Sequence, residues 1–529
     1  MDVTQEQNPC AIGVFENLPC NICSSFLSPN QSEPEIAVVR MGNYAARIAG
    51  CGAQGSSCRR ASLPALVPMA LCAALSASPA GAQDPHAGSL LYDPLSHPLS
   101  TDVSIAPLIP QLWEFKKALL DLGYNFQINY TGEVMANPVG GAQKSLAYEG
   151  LLELGIDGDL NRIAGMKGAS FHINAFQIHG YGLSTYNIFN FATISGIEAR
   201  RTTRLFEAWF EQEFLDDFVS LRFGQLSADT EFLANELDGL YWNGTFGWPV
   251  LASFDLLGTG PHYPLTTPGI RLKIMPNRQT ALLIAIFNGD PAGAGQDVGQ
   301  AEVKNCCGIN FRLKDPPLLI AQAEFNYVVP VTDDGLTGKV RVGGWQNFGR
   351  FNDQFLSTDG LPLANPVSNG NPLVHRNNQA AYALLDQMIW KAPGNDPWKG
   401  IGFFALVMAA PADRNLVSVE IQAGVNFMGI WEERPEDSFG AAFDYNRVSP
   451  YVSAADQAAA SFRNMQVPIR NYELLLEATY QAQIAPGFFL QPDFQYVFHP
   501  SGGIVNPLNP FAGRIPDAAV FGLRTVVKF

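Results

Sequence analysis

The chain has 529 residues, 16% of them charged and 47% hydrophobic, with a mean hydropathy of +0.02. That balance excludes both a disordered polyelectrolyte and a bundle of membrane-spanning helices. Asp and Glu number 49 against 33 Lys and Arg, a net charge of −16, which argues against nucleic acid or anionic lipid as the principal partner.

Six of the eight cysteines, Cys10, Cys20, Cys23, Cys51, Cys58 and Cys72, precede position 83. The body therefore has neither a disulfide scaffold nor a Cys/His zinc framework, and Cys20-x-x-Cys23 lacks a second pair. Arg59 and Arg60 precede an apolar run from Leu63 to Ala77, which leads to Ala80-Gly81-Ala82. A basic flank, a short greasy core and a small-x-small site predict an export signal cleaved after Ala82. Residues 1–40 carry no export chemistry ahead of that signal, so the expected translation start is Met41 or later. Residues 83–123 are expected to form a periplasmic N-terminal segment. Within it, Leu112, Phe115, Leu119 and Leu122 recur at helical spacing, with Gly123 as the C-terminal cap of a lid or strut.

From residue 124 onward the pattern changes to a period of two. In Asn125 to Glu133, Phe126, Ile128 and Tyr130 alternate with Asn125, Gln127 and Asn129. Arg204 to Phe214 sets Phe206, Ala208, Phe210 and Phe214 against Glu207, Trp209, Glu211 and Glu213, and Val417 to Phe427 repeats the pattern. A soluble β-sandwich also alternates. Strands of about ten residues, with Phe, Tyr and Leu on the apolar face, instead fit a membrane-spanning barrel. Short turns at Leu215-Asp216-Asp217, Pro276-Asn277-Arg278, Asp315-Pro316-Pro317 and Ala485-Pro486-Gly487 separate long stretches rich in Gly, Asn and Pro. About seventeen strand candidates result, whereas bacterial barrels use even numbers, and the parities conflict between Gly308 and Lys339. The expected fold is all-β: a transmembrane antiparallel β-barrel over 124–529, with an even number of strands, a short N-terminal helix and long extracellular loops.

Four segments carry a resemblance: Glu207 to Leu226, Gly335 to Phe351, His375 to Lys391 and Leu490 to Gly503. Together with a terminal strand ending in Phe529, they make the chain similar to the carbohydrate-selective porins of the OprB type. The resemblance covers most of the residues after Ala82. It implies a 16-stranded barrel in the Gram-negative outer membrane, through which monosaccharides and related polyols diffuse passively into the periplasm. The implied partners are sugars, outer-membrane lipid and lipopolysaccharide, and the assembly machinery that reads the last strand. A homotrimer is an open arrangement, and no nucleic acid, cofactor or metal is expected. The alternative is a general or cation-preferring porin with no sugar site, which the net charge would also suit.

A sugar channel requires hydroxyl-matching groups, aromatic faces and a constriction. If the apolar strand faces meet lipid, then Asn129, His172, Asn174, Glu207, Trp209, Glu211, Arg222, Arg271 and Arg312 point inward as pore-lining candidates. Leu226 to Thr267 is too apolar for a solvated loop and is expected to fold inward and narrow the pore. Its Asp229, Glu231, Glu236, Asp238, Tyr241, Trp242 and Trp248 are constriction candidates, against the alternative of simple packing on the barrel wall. Tyr130, Tyr327, Trp390, Trp398, Tyr480 and Phe498 are read as an interfacial girdle. Cys306-Cys307 receives no function. Glu211 and Glu213 could imitate a glycosidase dyad. Similar pairs recur along the chain, however, and G-x-S-x-G, H-E-x-x-H and phosphate-loop motifs are missing, so no catalytic residue is assigned.

Overall fold

The computed structural model describes residues 104–293, 301–331, 335–394, 396–464 and 467–529. The export signal, the Ala82 cleavage site and the Met41 start lie outside the described residues. Among the described residues, sixteen antiparallel strands close into one barrel. The first half comprises β1 (Tyr124–Val139), β2 (Leu146–Asp159), β3 (Ala169–Gly180), β4 (Thr202–Phe214), β5 (Val219–Leu226), β6 (Thr267–Asn277), β7 (Thr280–Asn288) and β8 (Pro317–Val329). The second half comprises β9 (Leu336–Ser357), β10 (Pro372–Lys391), β11 (Gly400–Ala409), β12 (Val417–Met428), β13 (Ser438–Val448), β14 (Tyr472–Ala485), β15 (Phe488–Phe498) and β16 (Ala518–Lys528). Each strand pairs with its sequence neighbours, and β16 returns to β1 through pairs such as Gly132 with Thr525. Closure satisfies every strand edge, which an apolar surround demands.

Alternation decides which side chains meet that surround. Ile270, Ile284, Ile286, Val342, Phe521 and Leu523 are all exposed on the outer wall. Arg271, Arg341, Asp386, Glu420 and Glu477 are buried on the inner one. In water such an outer surface would aggregate; in lipid it is the stable arrangement.

At one end the connections are short, as at 278–279 between β6 and β7 and 486–487 between β14 and β15. This end also carries α1 (Pro110–Asp121) and α2 (Leu160–Ala164), the latter capped by the Asp159 carboxylate. The segment before β1 is tied to the C-terminal residues here: Ile105 N–H donates to the Lys528 carbonyl at 2.8 Å, and Lys116 Nζ donates to the Phe529 carbonyl at 3.1 Å. Long loops crowd the other end: L2 (181–201), L3 (227–266) with α3 (Val250–Asp255), L4 (289–316) with α4 (Ala301–Lys304), and L7 (449–471) with α5 (Pro450–Arg463).

Two strand expectations change. Residues 309–316 form no strand, which removes the parity conflict and lowers the count to sixteen. Asp315-Pro316-Pro317 is accordingly the end of L4 rather than a short turn. Asp315 receives the Arg312 guanidinium at 2.6 Å and exchanges hydrogen bonds with Asn288 at the end of β7, so the segment folds back as a stapled loop. In β4, a register shift opposite Asn174 turns Phe206 away from the lipid-facing set. Phe206 is buried against Phe176 of β3 and Tyr263 of L3. A bulge supplies the extra residue that makes this reversal possible.

L3 lies inside the barrel rather than over it. Tyr241 and Phe246 of L3 pack on Phe404 of β11 at ring distances of 5.6 and 5.9 Å, and Phe404 has no exposed surface. Phe404→Ala should therefore open a cavity under the loop and cost about 3–5 kcal/mol. Urea unfolding of the detergent-solubilised protein, followed by Trp fluorescence, checks this.

Candidate functional site

The interior is organised by charged side chains on the strands that receive L3. On one wall, Arg222 of β5 and Arg271 of β6 converge on Glu211 of β4, at 2.6 and 3.0 Å. L3 brings Glu231 to the same place, 2.7 Å from Arg271 and 3.6 Å from Arg222. Ser220 accepts a further hydrogen bond from Arg271 at 2.6 Å. Two guanidiniums thus face two carboxylates in a buried cluster whose geometry is fixed by planar, multidentate pairing.

Beside it, Trp209 lies between the Arg222 guanidinium, 4.0 Å from its ring centre, and the His172 ring, 5.3 Å away. Trp209 is buried against these neighbours, so it props them and is not an open stacking platform. Glu207 accepts the Ser227 N–H of L3 at 2.8 Å and is almost fully buried.

The adjoining wall of β1 to β3 is a ladder of amides and carboxylates. Glu153 receives Asn129 at 3.1 Å and Asn174 at 3.0 Å. Asp157 receives Gln127 at 2.7 Å and His172 at 2.6 Å. Gln127, Asn129, Glu153 and Asp157 remain partly exposed within the barrel. Asn125 adds a third donor to Asp157 at 3.2 Å; each carboxylate offers about four lone-pair positions, so two donors on Glu153 and three on Asp157 leave acceptor capacity.

A second charged cluster occupies the wall of β8 to β10, and strand alternation had not nominated its members there. Lys339 lies 2.7 Å from Glu236 of L3 and 3.3 Å from Glu324. Arg341 bonds Glu236 and lies 2.7 Å from Asp386. The signal was present, since Lys339 and Arg341 alternate with Val340 and Val342. Lys339 closes the stretch in which the strand count failed, and Arg341 lies just beyond it.

Further round, carboxylates hold loop backbone directly. Glu477 accepts the N–H groups of Trp242 and Asn243 at 2.6 and 3.2 Å, and Glu420 those of Val250 and Leu251 at 3.1 and 2.7 Å. Asp386 accepts Glu236 and Leu237 at 3.0 and 3.2 Å, and Glu473 accepts Phe191 and Ala192 of L2 at 2.8 Å each.

The remaining nominated residues divide clearly. Glu231 and Glu236 join the charged clusters. Asp229 instead accepts the Tyr263 N–H at 2.9 Å, and Asp238 the Asn235 N–H at 2.9 Å, so both brace L3 from within. Burial holds both carboxyls above the usual carboxylate range. Tyr241 donates to Asn426 at 2.6 Å, and Trp242 lies under the Arg524 guanidinium at 4.6 Å. Trp248 donates to the Thr259 carbonyl at 3.2 Å and stacks on His262 at 5.2 Å. Arg312 is not on a strand wall: it belongs to L4 and is held by Asp315, whose carboxyl the Arg312 hydrogen bonds keep below its ordinary range. Of the girdle aromatics, Tyr130 sits in mid-strand, and Trp398 packs against the apolar interior.

The family model described as "Carbohydrate-selective porin, OprB family" matches residues 143–529. Porin B of Pseudomonas aeruginosa is similar at 22% identity over 433 residues, covering 79% of this chain and 90% of that protein. The high-pH structure of Pseudomonas putida OprB matches with a TM-score of 0.69 at 21% identity, covering 79% of this chain and 97% of that one. At that identity the likeness is one of fold.

Removal of Asn235–Gly247 from L3 should raise single-channel conductance about twofold, as the loop no longer fills the interior. Unchanged conductance in planar bilayers would count against an obstructing role. L3 should also respond to acid. Burial lowers the His262 pKa from 6.5 to about 4. The unfolded imidazole binds a proton throughout that window and the folded one does not, so His262 makes L3 less stable as pH falls from 6.5 to about 4. Imidazole NMR should show His262 neutral at pH 5, and a resonance titrating near 6.5 would contradict its seating.

Proposed function

We propose, for a chain that belongs to the OprB family of carbohydrate-selective porins, that it passes monosaccharides and related polyols down their gradient into the periplasm. Family membership supports an outer-membrane sugar porin, and family and fold point to a channel rather than an enzyme. In the full reading, residues 1–82 are an export segment removed after Ala82. Residues 83–123 lie in the periplasm, the short-turn end faces the same way, and the long loops are extracellular. The strand ending in Phe529 is the one read by the assembly machinery, and a homotrimer is the form to test first.

The observation that carries the substrate reading is the partly open ladder of Gln127, Asn129, Glu153 and Asp157, braced by His172 and Asn174. Its donors and acceptors alternate across neighbouring strands at distances suited to vicinal hydroxyls. Beyond it, the buried Arg222, Arg271 and Glu211, with Glu231, pin L3 to the wall and so keep the ladder's surroundings fixed. A sugar exchanging water for the ladder's groups meets little reorganisation, which supports weak, saturable passage. No nucleotide or ion coupling is invoked.

Planar-bilayer recording with titrated glucose, fructose, glycerol and a disaccharide tests the reading. Concentration-dependent block by the monosaccharides is expected, and Asn129→Ala combined with Asp157→Ala should weaken it about tenfold. Ohmic current with no block at any sugar concentration would instead establish the general porin.

A further inference from the structure

We propose that Cys306-Cys307 of L4, together with Arg204 of β4, forms a binding site for arsenous acid, the neutral trivalent oxyacid of arsenic. The proposal is independent of the sugar reading. The two thiols stand on a turn held from several sides. Asn305 N–H closes it onto α4 by donating to the Ala301 carbonyl at 3.2 Å, and the buried Asn305 side chain reaches the Pro291 carbonyl at 3.2 Å. The Thr202 hydroxyl donates to the Cys306 carbonyl at 2.7 Å, and Leu205 N–H to the Cys307 carbonyl at 3.0 Å. Gly308, at φ +69°, permits this docking, since a Cβ there would collide with the Leu205 carbonyl. Both cysteines are half-buried, their sulfurs lie 3.2 Å apart, and no disulfide joins them. Adjacent residues stand about 3.8 Å apart at Cα, less than the roughly 4.4–6.8 Å that disulfides prefer, so a direct disulfide is strained and readily reduced. One atom bonded to both sulfurs lengthens the ring and relieves that strain.

Arg204 selects what that atom is. Its Nη2 donates to the Asn305 carbonyl, the group that precedes Cys306, at 3.1 Å. The residue is 2% exposed, yet its Nε and Nη1 have no hydrogen-bond partner among the described residues. A buried donor left unspent is costly. Cys306, Cys307, Tyr263 and Glu302 of α4 all lie within electrostatic reach of the guanidinium. The Glu302 carboxylate, which also accepts the Arg200 N–H, answers its charge. What remains beside the thiols is therefore a pair of N–H donors awaiting a neutral oxygen. A soft metal cation at the same sulfurs would meet the Arg204 charge and no third ligand; among the described residues no group of three His, Cys, Asp or Glu is placed to hold one. Arsenous acid, As(OH)3, brings its own oxygen. Two of its hydroxyls leave as water, each with one thiol proton, as two As–S bonds form, and arsenic stays trivalent throughout. The third hydroxyl remains on arsenic, where its oxygen accepts from Arg204 Nε and Nη1.

The test treats the full-length barrel in detergent with a phosphine reductant, titrates it with sodium arsenite and removes the excess by gel filtration. Elemental mass spectrometry is expected to find one arsenic per barrel beyond whatever the Cys306→Ser, Cys307→Ser variant retains. Arg204→Met should weaken arsenite about tenfold, and Arg204→Lys, which keeps the charge without the fork, should fall with it. Phenylarsine oxide bonds both thiols but carries a phenyl group where arsenite keeps its hydroxyl, so its binding should be unchanged in both Arg204 variants. Heat-modifiable gel migration shows that each variant is folded. Arsenite retention equal in the wild type and the double cysteine variant overturns the proposal. Equal arsenite affinity in the wild type and both Arg204 variants overturns it too. So does a thiol titration, made before reduction, in which protein taken from the outer membrane already carries the pair as a disulfide. Sugar block on arsenic-free samples is expected to match the wild type in every variant, so failure of the sugar reading leaves the arsenite result interpretable.

Discussion

A loop threaded through the inside of a barrel has an obligation that a surface loop lacks: its backbone N–H groups are removed from bulk water and need acceptors. The inner-wall carboxylates Asp386, Glu420, Glu473 and Glu477 meet that obligation, each taking two adjacent or nearby N–H groups of L2 or L3. A buried N–H left unpaired costs as much as a lost hydrogen bond, so this ring of acids is what lets L3 sit where it does. The acids in turn are tolerable because they are hydrogen-bonded. Glu420, for example, also accepts from Gln422 at 2.8 Å, and the Thr245 hydroxyl lies 3.1 Å from it. Position of the loop and burial of the acids are one interaction seen from two sides.

The two ion-pair clusters complete this arrangement, the second of them sharing Asp386 with the ring of acids. There the strands supply most of the cations, Arg222, Arg271, Lys339 and Arg341, and L3 supplies Glu231 and Glu236. Buried pairs of this kind contribute little net stability, because desolvation offsets their attraction. Their value is in register. Glu231 and Glu236 are five residues apart in sequence and reach separate clusters, so L3 cannot slide without stranding a buried charge.

Much of this was legible because a membrane barrel makes strand alternation unusually informative. Asn129, His172, Asn174, Glu207, Trp209, Glu211, Arg222 and Arg271 all occupy the inner wall, since each sits opposite a plainly apolar lipid-facing neighbour. The reading weakened wherever L3 makes the inner wall apolar as well. On β10 the inward Tyr382, Leu384 and Met388 are as greasy as the outward Leu385 and Ile389, so Asp386 could not be assigned a side. Arg312 failed for another reason: a loop stapled by Asp315 imitates a strand and turn locally, and only the parity of the whole barrel exposes it. Phe206 failed because one inserted residue reverses every face above it. What the charges do to one another was beyond the sequence altogether, because partners such as Glu211 and Arg271 are sixty residues apart.

That mutual pairing bears on which solutes the interior favours. In the β4 to β6 cluster two guanidiniums balance two carboxylates, and in the β8 to β10 cluster Lys339 and Arg341 face Glu236, Glu324 and Asp386. Within these two clusters a passing cation finds the acidic charge already met by Arg or Lys at contact distance. A neutral polyol loses nothing by this balance. The groups that it can reach are the half-exposed Gln127, Asn129, Glu153 and Asp157, where amide donors and carboxylate acceptors stand side by side. Charge that is abundant but paired suits hydroxyl recognition better than ion selection, and this favours the sugar reading over the cation-preferring one on the same set of residues.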